Sequence, residues 1–303
     1  MSLVSRTHPG YGRGDHTIDV ELLDDSELIA ELRGLFARDD YRPPMPPTVA
    51  LEVHALSKRA DADIDAIVGL VERDAMLAAE VLRIAQSPAY AARMPPRTLG
   101  EAVMRLGLGN LMQVVWQAAL NAKVFKAKAY EAPMGSLRRH SVAMAHASRA
   151  VAAHTSVAED QAFLFGLLHD IGFAACFIAL AERRQREPID VRQEAAALDA
   201  LHAEAGETLA QLWNLPKELE LCVGHHTVAE IQGYAHPLLA TGLVAQHLVE
   251  ELGFGLIVDD VALEHTSGAA YARAKDSLAL ADGVIAGLRS DLEMRLPKAL
   301  GEG

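Results

Sequence analysis

The chain has 303 residues, half of them hydrophobic but only 5% aromatic, and a formal net charge of −13. That length supplies core enough for one large domain or two ordinary ones. An acidic balance of this size excludes a general nucleic-acid or anionic-membrane binder, which needs a basic surface. The two cysteines, Cys176 and Cys222, stand in apolar company and read as reduced core thiols of a cytoplasmic protein. "MSLVSRTHPGYGRGDH" has no apolar signal-peptide run, so no leader and no membrane association are expected.

In chain order, residues 1–23 are expected to be a mobile tail with little to bury. "DDSELIAELRGLFAR" predicts an amphipathic helix with Leu28, Leu32 and Leu35 on one face, broken by the prolines of "DDYRPPMPPTVA". Helices follow from about Thr48, in "DADIDAIVGLVERD", from Asp74 to before Pro88, and in "RTLGEAVMRLGLGNLMQVVWQAAL", where Thr98 and Glu101 have capping-box spacing. Trp116 on that last helix is expected where the two halves of the core meet. "YEAPMGS" predicts a break before "LRRHSVAMAHASRAVAAH". The second half continues as helices to "AAYARAKDSLALADGVIAGLRSDLEMRL", expected to cover the preceding half or to form a homodimer contact. Ala and Leu dominate over β-branched types and no alternating run is convincing, so the fold class is all-α.

The chemistry gathers around "FLFGLLHDIGFAACF", Phe163 to Phe177, apolar except for His169 and Asp170 at its centre. An ionised Asp in a dry interior costs several kcal/mol unless it is paired or coordinated. Further candidates are His140, His202, His225 and His226, with Gln246 and His247 beyond. Imidazoles with a carboxylate suit Zn, Fe, Mn, Co or Ni; a buried hydrogen-bonded His–Asp pair is the competing reading. His140 shares a helical face with Met144, Ala147 and Val151 and so points inward. His146, His154, His236 and His265 read as surface or interface residues. Spacing alone does not bring these groups together. Lys123, Lys126, Lys128, Arg138 and Arg139 make a local basic patch, either solvated helix ends or a phosphate-attracting lip beside His140.

"LLHDIG", with a His about thirty residues earlier and "LHAEAGETLAQLWNLPKELELCVGHH" after it, resembles the HD superfamily of metal-dependent phosphohydrolases. "PPMPPTVALEVHALSKRADADIDAIVGLVERDAMLAAEVLRIAQSPAY" followed by "TLGEAVMRLGLGNL" resembles the N-terminal half of the HDOD family, the HD-related output domain of bacterial signalling proteins. The resemblance implies a helical half over 24–132 packed on an HD-like half over 133–253, with a C-terminal helical extension over 254–303. It also implies His140, His169, Asp170, His202, His225 and His226 as ligands of a divalent metal. Three positions depart from the catalytic pattern: Gln246 stands for the last Asp ligand, Phe173 for the Lys that follows "HDIG" in the phosphodiesterases, and the "GYP" segment is missing. The expected function is therefore a non-catalytic regulatory module engaging other signalling proteins or a small nucleotide. The alternative is a metal-dependent phosphohydrolase acting on a nucleotide or cyclic dinucleotide, with Asp170 central and Lys126, Arg138 and Arg139 contacting phosphate.

Overall fold

The computed structural model describes residues 27–46, 48–57, 63–88, 90, 96–183, 191–263 and 266–302. The tail expected over 1–23, the polar stretch 184–190 and His265 lie outside these. Helix α1 (Glu27–Phe36) buries Leu28, Ile29, Leu32 and Leu35, and the prolines end its pattern as expected. Helix α2 spans Thr48–Ser57. Helix α3 (Ile64–Glu72) starts where the Asp63 carboxylate accepts from the Asp65 amide, and α4 (Ala75–Ala85) where Asp74 accepts from Met76 and Leu77. These side chains satisfy backbone donors that a helix start leaves without partners. Helix α5 (Leu99–Lys123) is capped by Thr98 Oγ1, 3.1 Å from the Glu101 amide, while the Glu101 carboxylate reaches back to the Arg97 amide at 2.7 Å. A kink at Gly107 (φ 69°, ψ 168°) interrupts what the periodicity predicts as one continuous helix. That conformation is open to glycine and costly for other residues.

The break expected at "YEAPMGS" is shorter than its proline suggests. Only Lys128–Tyr130 form a 3-10 turn, and α6 runs Glu131–Ala152 with Pro133 in its first turn, where a missing N–H removes no helical bond. The boundary expected between 132 and 133 therefore falls inside α6. Helices α7 (Glu159–Leu168), α8 (Ile171–Arg183), α9 (Val191–Leu212), α10 (Lys217–Gly224) and α11 (Pro237–Glu251) follow. The C-terminal extension holds α12 (Gly268–Ser277) and α13 (Asp282–Leu300). Two minimal hairpins are the only strands among the described residues: β1 (Glu230–Ile231) with β2 (Tyr234–Ala235), and β3 (Ile257–Val258) with β4 (Val261–Ala262). Both turn through positive φ at two residues, Gln232–Gly233 and Asp259–Asp260, the pairing that lets a two-residue turn match strand twist. The all-α expectation holds, with these turns as its only exceptions.

One apolar core runs from Leu28 of α1 through Trp116 of α5 to Leu219 of α10, so the two expected halves share an interior. Trp213 is buried against it, its Nε1 donating to the Pro44 carbonyl at 2.9 Å and tying the proline strap to the end of α9. A second cluster joins Met144 and Val151 of α6 to Leu243 and Leu248 of α11 and to Leu288, Leu292 and Leu296 of α13. The extension thus covers the HD-like half, one of the two roles expected for it. Residues 159–182 are long and apolar enough to cross a membrane, yet 94% of that window is buried inside the protein, as for a core helix pair. Beyond the kink of α5, Arg149 of α6 donates to Asn110 Oδ1 and Gln113 Oε1, both at 2.8 Å, and to Glu159 at 3.1 Å, while Gln113 donates to Asp160. This polar network fastens α5 to α6 and α7.

Two glycines set the helix spacing around the centre of the HD-like half. A Cβ on Gly166 of α7 would lie 2.5 Å from the Met144 carbonyl oxygen of α6, and one on Gly172 of α8 would overlap the His202 carbonyl oxygen of α9. Gly172→Ala must push α8 from α9, and we expect it to destabilise the protein by about 1–3 kcal/mol, the usual cost of overpacking. Gly69→Ala, where nothing lies within 4 Å of the new methyl, should stabilise α3 by about 0.5–1 kcal/mol. Urea unfolding of both variants checks the contrast in sign.

Candidate metal centre

His169 ends α7 and Asp170 occupies the junction before α8, where the Phe173 amide donates to the Asp170 carbonyl at 3.0 Å. The apolar stretch is therefore two helices, and the pair sits at their joint, not within one cylinder. His140 comes from the middle of α6 and His202 from α9. His226 follows α10, whose end at Gly224 leaves both paired histidines outside the helix predicted to carry them. Five of the six expected ligand residues meet: His140, His169, Asp170, His202 and His226, none more than 3% exposed. His225 is apart from them, half-buried, its Nδ1 3.0 Å from the Leu221 carbonyl oxygen.

The five groups form two triads about one carboxylate. Asp170 Oδ2 lies 3.5 Å from His140 Nε2 and 3.3 Å from His169 Nε2; Oδ1 lies 3.4 Å from His226 Nε2 and 3.7 Å from His202 Nε2. The four Nδ1 atoms face backbone carbonyl oxygens instead: His140 meets Phe254 at 2.8 Å, His169 meets Gly166 at 2.8 Å, His202 meets Asp199 at 2.5 Å and His226 meets Val223 at 2.6 Å. A carbonyl only accepts, so each Nδ1 carries a proton and each Nε2 faces the centre.

The Nε2 atoms also face one another, His140 to His169 at 3.3 Å and His202 to His226 at 2.9 Å. Among the described residues neither oxygen of Asp170 accepts a hydrogen bond. Acceptors crowded on acceptors in a dry interior repel unless a cation or a proton lies between them. Ligands of one tetrahedral ion, each bonded at about 2.1 Å, stand about 3.4 Å apart, inside the range of 2.9 to 3.7 Å spanned by these spacings. The residues fit a metal. Each triad has the donors to hold one, and Asp170 is placed to bridge two.

Burial pushes the Asp170 carboxyl up, but the surrounding imidazoles, His169 foremost, outweigh it and hold the group well below the usual carboxylate range. Burial lowers His202 to about 3, with nearby His226 adding to the effect, so it is neutral near pH 7. His146, expected at a surface or interface, is half-buried with its ring packed edge-on against Phe163 at 5.4 Å and is lowered by desolvation to about 4. The basic patch divides. Lys126 and Arg138 are exposed, whereas Arg139 pairs with Glu302 at 2.8 Å, donates to the Gly253 carbonyl at 3.3 Å and lies 4.4 Å over the Phe254 ring. Arg139 thus braces the loop whose carbonyl orients His140. Side-chain reasoning could not find that outer contact, because a backbone carbonyl carries no residue signature.

A bundle with buried imidazoles flanking an HD pair defines the class: an HD-type helical domain with a metal-capable centre. The family model for the HDOD domain matches residues 44–229, more than half of the chain, and the chain belongs to that family. An uncharacterized protein of Treponema pallidum is 24% identical over 207 residues, covering 65% of this chain and 40% of that protein, so the chain spans less than half the length of this relative. A crystal structure from Shewanella amazonensis, provisionally named a metal-dependent phosphohydrolase, aligns with TM-score 0.66 at 18% identity over 90% of this chain and 97% of that one. One from Marinobacter aquaeolei, provisionally named a signal transduction protein, aligns with TM-score 0.67 at 21% identity over 93% of this chain and 65% of that one. At these identities the likeness shows the fold.

A histidine lowered from 6.5 to about 3 gives the metal-free protein a definite pH response. Below about pH 6.5 the unfolded chain takes up a proton that folded His202 refuses, so stability is lost as pH falls through that window. We expect the Tm of chelator-treated protein to fall between pH 6.5 and 4 and His202→Gln to fall less steeply; parallel profiles would contradict the assignment.

Proposed function

We propose that this protein is a regulatory HDOD module whose centre holds divalent metal as a structural or sensing element. The observation that carries this reading is the enclosure of the centre: all five ligand side chains are at most 3% exposed, and Phe173 packs flat on one of them. A phosphodiester would have to part helices to reach Asp170. The provisional signalling name of the Marinobacter protein agrees with this reading. Other signalling proteins or a small nucleotide are the partners proposed, engaged at the surface, with a second copy of the chain as a further candidate. Two free, buried cysteines, both pushed by burial up to about 12, suit the reducing cytoplasm proposed for it.

The second reading, a metal-dependent phosphohydrolase, is favoured by the completeness of the two triads and by the name of the Shewanella protein. Bound metal would supply an acidified water and an electrophile for phosphate. In that case Asp170 and the four histidines would hold and orient the ions, with Fe, Mn, Zn, Ni and Co all compatible with the donor set.

Elemental analysis of protein purified without a His tag, followed by hydrolysis of bis(p-nitrophenyl) phosphate with added Mn, Fe or Zn, separates the two. We expect bound metal, loss of that metal in Asp170→Ala, and no turnover above the Asp170→Ala background. Metal-dependent turnover that the substitution abolishes would install the enzyme reading instead.

A further inference from the structure

We propose that Phe173 is a positioning residue for the cation position formed by His202, His226 and Asp170 Oδ1, and that this position depends on its ring while the His140–His169 position does not. The inference rests on the metal reading above and divides the centre into two unequal halves. Phe173 is fully buried, and its ring lies 4.2 Å from the His202 imidazole with only 7° between the planes. An imidazole lone pair lies in the ring plane, so whatever fixes that plane fixes the bond direction at Nε2. The hydrogen bond from Nδ1 to the Asp199 carbonyl leaves the ring able to pivot about the N–O axis. A flat aromatic neighbour removes that freedom and keeps water off one face of the ligand.

The other half is held differently. His169 meets Phe165 edge-on at 6.4 Å and His140 at a 58° tilt, contacts that do not clamp a plane in the same way. The orienting bond of His140 comes instead from the Phe254 carbonyl. Phe173 also stands three residues after the bridging carboxylate, and its amide donates to the Asp170 carbonyl at 3.0 Å. One residue therefore ties the bridge through its backbone and a ligand of α9 through its ring.

Outer contacts that orient metal ligands typically change affinity by about 10- to 100-fold when removed. The test is a chelator-competed Co(II) titration of the full untagged chain, read by stoichiometry and by the visible spectrum of each equivalent. Phe177, on the same helix, stacks on Tyr130 at 5.3 Å away from the centre and serves as the control. We expect two equivalents in the native chain, a second equivalent at least about tenfold weaker in Phe173→Leu, both retained in Phe177→Leu, and both restored in Phe173→Tyr, which keeps the ring plane. Thermal unfolding of the metal-free variants identifies any general loss of fold.

A Phe173→Leu chain that binds both equivalents normally, a Phe177→Leu chain that loses as much, or a Phe173→Tyr chain that folds yet loses the second equivalent overturns the proposal. A native chain that takes one equivalent overturns it and leaves the metal reading standing. A chain that takes none ends both.

Discussion

The structure depends on one buried carboxylate with four imidazole nitrogens aimed at it. Asp170 and its neighbours are assembled from α6, the α7–α8 joint, α9 and the segment after α10. A charge in a dry interior must be compensated, and the imidazole Nε2 atoms facing Asp170 do so only by carrying a proton or by sharing a cation with it. Donors crowded in this way by fully packed helices make two triads that could each hold an ion. Metal binding free energy then becomes part of the fold's stability, as in any site that the unfolded chain lacks.

The orientation of these ligands is mostly local. His169, His202 and His226 each place Nδ1 on the carbonyl three residues earlier, at Gly166, Asp199 and Val223. Helix ends offer such carbonyls freely, because the last turn leaves them without amide partners, so two of these tautomers follow from where α7 and α10 stop. His140 is different. Like His202 it lies mid-helix, but it takes its acceptor from Phe254, 114 residues later. The C-terminal extension, outside the segment matched to the family, is therefore part of the centre. Arg139 over Phe254 and Glu302 beyond it extend that support to the end of α13.

Helix starts at Asp63, Asp74 and Thr98 and the buried stripe of α1 were legible because caps and periodicity are local properties. The ligand residues were legible as a set only through resemblance, since a hydrophobic pattern tells which side chains point inward but not which inward faces meet. What stayed hidden has a common physical cause. The Gly107 kink, the start of α6 before Pro133, the joint between α7 and α8 and the end of α10 are decided by tertiary packing. His225 illustrates this best: it differs from His226 by one position, and only the actual end of α10 decides which of the two rings turns inward. The hairpins rest on positive φ at Gln232 and at Asp259 and Asp260, residues whose composition carries no strong turn signal.

Gln246 bears on the regulatory role proposed for the centre. At a position where the catalytic relatives are expected to carry a carboxylate ligand, this chain has a buried amide whose Nε2 donates to Glu250 at 2.9 Å, and the same Glu250 oxygen accepts the Thr266 amide. The amide is thus enlisted in fastening the end of α11 to the start of the extension. A neutral amide there withholds one negative charge from the centre, leaving Asp170 as the sole anion among the five ligands. Two divalent ions would then carry a net charge of +3 in a dry interior, so filling both positions would draw in an added anion. Enclosure and charge point the same way. On the proposed regulatory reading, the remaining ligands serve to hold a cation, and Gln246 and the packed Phe173 face are what set the centre apart from one open to a phosphate.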